Sequence, residues 1–160
     1  MKKEINNILL GDKMIINYDK FYIDMVEFAN DNKIESTANY LLTTNLKNKY
    51  TYVFKKIGDN WDLMYKWKCT IGKPSTPTIT GVFYILDRKP YFGDDTFRVK
   101  YATRIINGYY YHSILYNKTG EYVIDGRLGM ALSHGCIRLA TQNAKWIYDN
   151  IPNNTTVIIK

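Results

Sequence analysis

Ser133-His134-Gly135-Cys136-Ile137-Arg138-Leu139 puts a thiol, a nearby imidazole, a glycine between them and an arginine two residues on into one short stretch. A cysteine attacks as its thiolate, and an unperturbed thiol is only slightly ionised at neutral pH, so a base must take its proton. Histidine is the side chain that titrates nearest neutrality. The chain has two of them: His134 in the stretch itself, and His112, 24 residues before the cysteine (136 − 112). Gly135 permits a tight bend, through which the N–H groups of residues 134–136 could converge on a developing oxyanion. These are the parts of a cysteine acyl-transfer site, with Cys136 as nucleophile and Ser133, His134 and Gly135 shaping its loop. Residue types and spacing leave two other readings open. Cys136 can be a buried structural thiol, or two Cys and two His can hold a tetrahedral zinc. Against zinc, there is no Cys-x-x-Cys, and Cys69 is far along the chain from the other three.

The elements that must position these groups read mainly as strands and turns. Asn107-Gly108 is a strong two-residue hairpin signal for a type I′ turn, joining strands over 98–106 and 109–116. Counted outward from that turn, His112 pairs with Thr103. His112 then shares a face with Tyr110 and Ile114, while Tyr111 and Ser113 point the other way. Residues 117–132, with Gly120, Gly126 and Gly129, read as a long connection back to the cysteine, and Arg127 on it is expected to face the cleft. Thr141 is the expected N-cap of a helix over 141–150 that buries Ala144, Ile147 and Ile151, closed by Pro152 and a strand over 155–159.

Upstream, strands are expected over 40–44, 50–55 and 61–71. The last of these alternates apolar and polar residues and turns Cys69 inward beside Trp67 and Ile71. Pro74 and Pro77 force a loop, 81–87 resumes as a strand, and 89–95 reads as irregular. Tyr18, Phe21, Tyr22, Met25, Phe28 and Ala29 recur at helical spacing after Asn17, a candidate N-cap. This gives a short amphipathic helix expected to pack on the main domain, followed by a polar connector over 30–39.

With 160 residues the chain suits one domain. Its 46% hydrophobic and 23% charged residues fit a globular protein. The net charge of +7 and pI near 9.2 come from dispersed lysines with no nucleic-acid motif, and an anionic bacterial wall suits that charge equally well. No apolar stretch of signal-peptide length follows Met1, and none approaches a membrane span. A Cys69–Cys136 disulfide would disable the proposed nucleophile.

Three segments together carry a family resemblance. Ser133-His134-Gly135-Cys136-Ile137-Arg138 with an upstream histidine resembles the signature of L,D-transpeptidases, which cross-link peptidoglycan stems. Gly72-Lys73-Pro74-Ser75-Thr76-Pro77-Thr78 followed by Gly81-Val82-Phe83-Tyr84-Ile85 is similar to a second segment of that family. Asn143-Ala144-Lys145-Trp146-Ile147-Tyr148-Asp149, with Pro152 and Val157-Ile158-Ile159, is similar to its closing helix and strand. Two departures stand out: the 112–136 interval is long for the family, and Arg138 replaces an asparagine found in many members.

The resemblance implies a bent β-sandwich of mixed sheets with a helix after the cysteine, residues 40–160 as the catalytic domain and 1–39 as an extension. It implies Cys136 as nucleophile and His112 as base, with the second ring nitrogen of His112 held by the Ser113 carbonyl. His134 is the rival base. Arg138, Tyr111 and Arg127 are the expected substrate contacts, with Arg138 binding a stem carboxylate or pairing with an acidic neighbour. The expected reaction forms a thioester with a tetrapeptide stem, releases D-alanine and passes the acyl group to a stem amine outside the membrane. No metal or organic cofactor is implied, and carbapenem-type β-lactams would acylate the thiol. An L,D-carboxypeptidase or other cysteine peptidase, and an inert wall-binding module, are the alternatives.

Overall fold

The computed structural model describes residues 7–10 and 14–160. In chain order the elements are β1 (Asn7–Leu10), β2 (Met14–Asn17), α1 (Met25–Asp31), β3 (Tyr40–Asn45), β4 (Tyr50–Ile57) and β5 (Asn60–Lys68). There follow β6 (Ile71–Gly72), β7 (Gly81–Tyr84), β8 (Arg88–Gly93), β9 (Arg98–Ile106) and β10 (Tyr109–His112). The chain closes with β11 (Leu115–Tyr116), β12 (Val123–Asp125), β13 (Ala131–Ser133), β14 (Ile137–Arg138), α2 (Thr141–Asn150) and β15 (Thr156–Ile159).

Two mixed sheets carry the fold, which is mainly β. One runs β5-β4-β3-β15-β7, with β15 parallel to β3 and antiparallel to β7. The other runs β12-β11-β9-β10-β14, with β8 also on β9 and the β10–β14 pair parallel. Leu42, Val53, Ile105, Tyr111, Ile137, Ile147 and Val157 meet in one core cluster. The central strands of the first sheet, β3 and β15, are buried on both faces. Leu41, Phe54 and Ile158 project the other way into a second cluster with Phe21, Phe28 and Ile34 of the N-terminal segment. That explains why β3 reads Leu-Leu-Thr-Thr rather than alternating: neither face meets water. Each buried phenylalanine contributes roughly 2 kcal/mol, so the N-terminal segment is packed onto the sheet as expected.

Several local expectations are corrected. The N-terminal helix is shorter than its periodicity predicts. It starts at Met25 behind Asp24, whose side chain accepts from the Glu27 N–H at 3.0 Å. Asn17 instead ends β2 and exchanges hydrogen bonds with Asn32. The stretch from Trp61 does alternate, but β5 is an edge strand, so Leu63 and Tyr65 stay exposed and the strand ends at Lys68. Residues 89–93 are not irregular: β8 lies along β9, and an edge strand tolerates Pro90; only 94 and 95 leave the ladder as expected. The 117–132 connection holds β12 and the start of β13. Thr141 is the first helical residue rather than the cap, its hydroxyl sharing a 2.7 Å hydrogen bond with Tyr116. The helix itself buries Ala144 and Ile147 as expected, with Ile151 buried just beyond it.

The hairpin forms with a shifted register. Ile106 faces Tyr109, then the ladder slips so that Tyr110 meets Arg104 and Thr103 meets Tyr111, not His112. Asn107 takes a φ of 47°, whereas Gly108 stays out of the left-handed region, so the turn departs from type I′. Both cysteines are free thiols.

Candidate active site

A cleft of about 700 Å³ opens against the second sheet, and its walls include Gly108, His112, His134, Cys136, Asp125, Arg127 and Arg138. Strand pairing brings the two distant segments together. β10 and β14 lie parallel, with Tyr111 beside Ile137 and His112 beside Arg138, and the Leu139 N–H donates to the His112 carbonyl at 2.8 Å. The imidazole therefore stands on a strand that is hydrogen-bonded to the chain immediately after Cys136. The interval of 24 residues (136 − 112) sets the length of the intervening loop and not the separation of the groups.

His112 is buried, and its Nδ1 lies 2.7 Å from the Ser113 carbonyl oxygen. A carbonyl only accepts, so Nδ1 carries the proton and Nε2 keeps its lone pair. Burial pushes the imidazole pKa down to about 4; the Ser113 contact opposes that shift and the Arg138 charge adds to it. The ring of Phe92 stands edge-on to the imidazole at 5.7 Å between centroids. Ser113 is itself locked, since its hydroxyl accepts from the Lys100 N–H and donates to the Ile114 carbonyl, both at 2.8 Å. The base is held neutral and oriented.

Cys136 is half-buried, and its Sγ contacts the Gly108 carbonyl at 3.4 Å, within the turn of the hairpin. Burial pushes its thiol pKa up, and a backbone hydrogen bond near Tyr110 pulls the other way. The resting pair is thus a neutral thiol facing a cleft shared with a neutral imidazole.

The loop before the cysteine is tied internally. The Ser133 hydroxyl donates to the Cys136 carbonyl at 2.6 Å and accepts from the Gly135 N–H at 3.1 Å. Gly135 has a φ of 126°, and a Cβ there would sit 2.7 Å from Cε1 of Tyr109, so both conformation and space demand glycine. Its N–H is already used by Ser133, which corrects the expectation that Gly135 supplies an oxyanion donor. The N–H groups of His134 and Cys136 are the remaining candidates. His134 is exposed at the cleft wall, and its proximity to Cys136 in sequence does not bury it beside the sulfur.

Tyr111 is overturned as a substrate contact. It is fully buried on the core face, and its hydroxyl shares a 2.9 Å hydrogen bond with Thr44. Alternation along β10 sends Tyr110 and His112 to the cleft and Tyr111 to the core. Arg138 and Arg127 do line the cleft. Arg138 faces Asp125 at 3.4 Å, and Arg127 grips the same carboxylate at 2.9 Å. Among the described residues no three His, Cys, Asp or Glu side chains converge as metal ligands.

Residues of the second resemblance segment support the cysteine loop. The loop after β6 braces the cysteine segment: Lys73 N–H and the Thr76 hydroxyl both donate to the Ser133 carbonyl, at 3.0 and 2.9 Å. Gly72 is required there because a Cβ would lie 2.2 Å from the Thr76 carbonyl oxygen. Asp125 and the Gly108 carbonyl carry no chemical signature in the sequence. The Asn-Gly turn marked Gly108 only as a bend, and nothing in the composition around Asp125 distinguishes it.

A family model, the L,D-transpeptidase catalytic domain (YkuD), matches residues 39–159. Among solved structures, the fused Zn-dependent amidase/peptidase/peptidoglycan-binding domain-containing protein of Clostridium acetobutylicum ATCC 824 superposes with a TM-score of 0.72. It is 43% identical over 85% of this chain and 58% of its own. An L,D-transpeptidase from Mycobacterium smegmatis gives 0.61 at 25% identity, covering 77% of this chain and 59% of its own. The L,D-transpeptidase LdtMt1 in complex with imipenem gives 0.61 at 21% identity, covering 76% and 59%. The present chain therefore spans less than two thirds of each of these relatives. No described helix is long and apolar enough to cross a membrane.

Proposed function

The chain belongs to the L,D-transpeptidase catalytic-domain family, and from that premise we propose that residues 40–160 catalyse cysteine acyl transfer on peptidoglycan stems, with 1–39 as an extension. One observation carries the proposal: His112, with its Nδ1 proton held on the Ser113 carbonyl, and Cys136 wall the same cleft from hydrogen-bonded neighbouring segments. That tautomer leaves Nε2 as the basic nitrogen for the thiol proton.

In the first half-reaction Nε2 of His112 takes the Cys136 proton as Sγ bonds to the carbonyl carbon before the terminal D-residue of a tetrapeptide stem. The N–H groups of His134 and Cys136 bind the oxyanion, a contribution of about 3 kcal/mol for a well-placed donor. The C–N bond then breaks, the imidazolium returns its proton to the leaving D-alanine amine, and a thioester remains. In the second half, a stem amine on another chain attacks the thioester carbon, giving up a proton to Nε2, and the thiol is released. A carbapenem enters the same first step, its strained amide opening to leave a stable acyl-enzyme with no departing group. The imipenem complex of LdtMt1 supports that reading by analogy. A peptidoglycan substrate lies outside the cytoplasmic membrane, and the net charge of +7 suits an anionic wall.

Intact-protein mass spectrometry after treatment with a carbapenem tests the proposal. The expected result is one adduct, absent in Cys136→Ala and slowed by orders of magnitude in His112→Ala. If no adduct forms on the wild-type chain, the nucleophile assignment is wrong and a wall-binding module replaces it. Incubation with tetrapeptide stems then separates transfer to an amine from transfer to water by product mass, the latter outcome making the chain an L,D-carboxypeptidase.

A further inference from the structure

The charged side chains of the cleft are Asp125, Arg127 and Arg138, two cations against one anion. Asp125 is committed to Arg127. Its Oδ1 accepts from the Arg127 backbone N–H at 3.1 Å and from Nε at 3.0 Å, and its Oδ2 accepts from Nη2 at 2.9 Å. Arg138 reaches only that same Oδ2, from Nη1 at 3.4 Å, beyond the range of a charge-assisted hydrogen bond. Arg138 is only 3% exposed, yet its Nε and Nη1 have no hydrogen-bond acceptor. A guanidinium withdrawn from water and left without acceptors is unfavourable unless something else completes it.

The surroundings fix Arg138 and leave its neighbour loose. The Arg138 backbone is bonded to Thr70 in both directions, at 2.8 and 2.9 Å, and its Cα lies opposite that of His112 in the β10–β14 ladder. Asp125, by contrast, ends a three-residue edge strand whose Val123 and Ile124 are 48% and 50% exposed. That strand meets β11 across a register shift. Few buried contacts hold it, so it can withdraw from Arg138 without disturbing the core.

We propose that Arg138 is a carboxylate subsite: a carboxylate on the acyl donor takes the place beside Arg138 that Asp125 now only half fills, while Arg127 retains Asp125. This rests on the acyl-transfer reading of the cleft. Arg138 follows Cys136 by two residues, about 7 Å along extended chain, so the group it reads lies close to the scissile bond. A stem peptide offers two such groups, its C-terminal carboxylate and a side-chain carboxylate at its third residue. The fork geometry of a guanidinium matches either.

The test uses the full chain carrying Cys136→Ala, which binds donors without reacting, labelled with nitrogen-15. It is titrated with a tetrapeptide stem as the free acid, as its C-terminal amide and as the side-chain amide of residue three. The Arg138 Nε–H signal is expected to move on binding the acid, and affinity to fall about tenfold, the usual loss for one unmatched charge-assisted contact, for the amide that removes the group being read. The weaker amide names the source. Both amides binding as tightly as the acid, or no binding of the acid, overturns the subsite. Asp125→Asn removes the internal competitor and is expected to tighten the acid alone. Equal tightening of acid and amides, or none, also overturns it. A wild-type chain that forms no thioester while these differences persist refutes the catalytic reading and leaves the subsite standing.

Discussion

The resting protonation state of the Cys136–His112 pair follows from the structure and is open to direct measurement. Moving the proton from sulfur to imidazole has to overcome two opposed shifts. The Cys136 thiol lies above its ordinary 9.0 and the His112 imidazole is near 4, both because burial disfavours the charged form. With the imidazole near 4 and the thiol above 9.0, the separation exceeds five pH units and costs more than about 7 kcal/mol. The attraction between thiolate and imidazolium returns at most about 4 kcal/mol, even at 4 Å in a medium of intermediate polarity. The neutral pair therefore wins by at least about 3 kcal/mol, and the thiolate exists only as the substrate is attacked. The assay is the ultraviolet absorbance of the thiolate, taken as wild type minus Cys136→Ser. No signal is expected between about pH 5 and 8. Cys69 does not interfere, because complete burial pushes its thiol to about 12, and tyrosine contributions cancel in the difference. A full thiolate signal at neutral pH that vanishes below about pH 5 would refute the reasoning, since it requires a stable ion pair.

Folding stability should depend on pH through the same imidazole. Its folded pKa near 4 lies below the ordinary 6.5, so the unfolded chain binds the proton first. Stability is whole above about pH 6.5 and falls by about 3 kcal/mol as pH drops to about 4. Urea titrations of wild type and His112→Gln check this, the variant losing most of that slope. Gly135→Ala should reduce carbapenem acylation at least tenfold and lower stability by about 1–3 kcal/mol, because the left-handed backbone and the nearby Tyr109 ring both oppose a Cβ. Adduct rates and denaturation curves measured together would detect both effects. A maleimide should label one thiol in the native protein and two after denaturation, because Cys69 is fully buried and Cys136 is not; immediate double labelling would contradict the burial of Cys69.

The mainly β class with mixed sheets was legible in the three motif segments and their resemblance. Cys136 and His112, marked by residue type and motif, line one cleft, and the Ser113 carbonyl lies against the imidazole. Tyr111 was misassigned because alternation reveals that two neighbours face opposite ways without saying which way is core. The register of His112 slipped because the ladder shifts between Tyr109 and Tyr110, a backbone irregularity with no residue signature. The Trp61 strand misled because its alternation describes a strand with one covered face, whereas β5 lies at the edge. Asp125 was invisible for another reason: a carboxylate matters there only through two arginines brought to it by the fold.

The parallel pairing of β10 with β14 has a consequence for how this architecture can vary. The β10–β14 ladder holds the imidazole strand against the cysteine segment, so the segment from 117 to 126, ahead of the backbone bonds of Arg127, Gly129 and Met130 to residues 69–71, can change length without moving them. Doubling such a loop raises its closure penalty by only about 0.6 kcal/mol. Lengthening or swapping it would redraw the entrance and the charges offered to an incoming molecule while leaving the reacting atoms in register, which makes it the natural place to graft new selectivity.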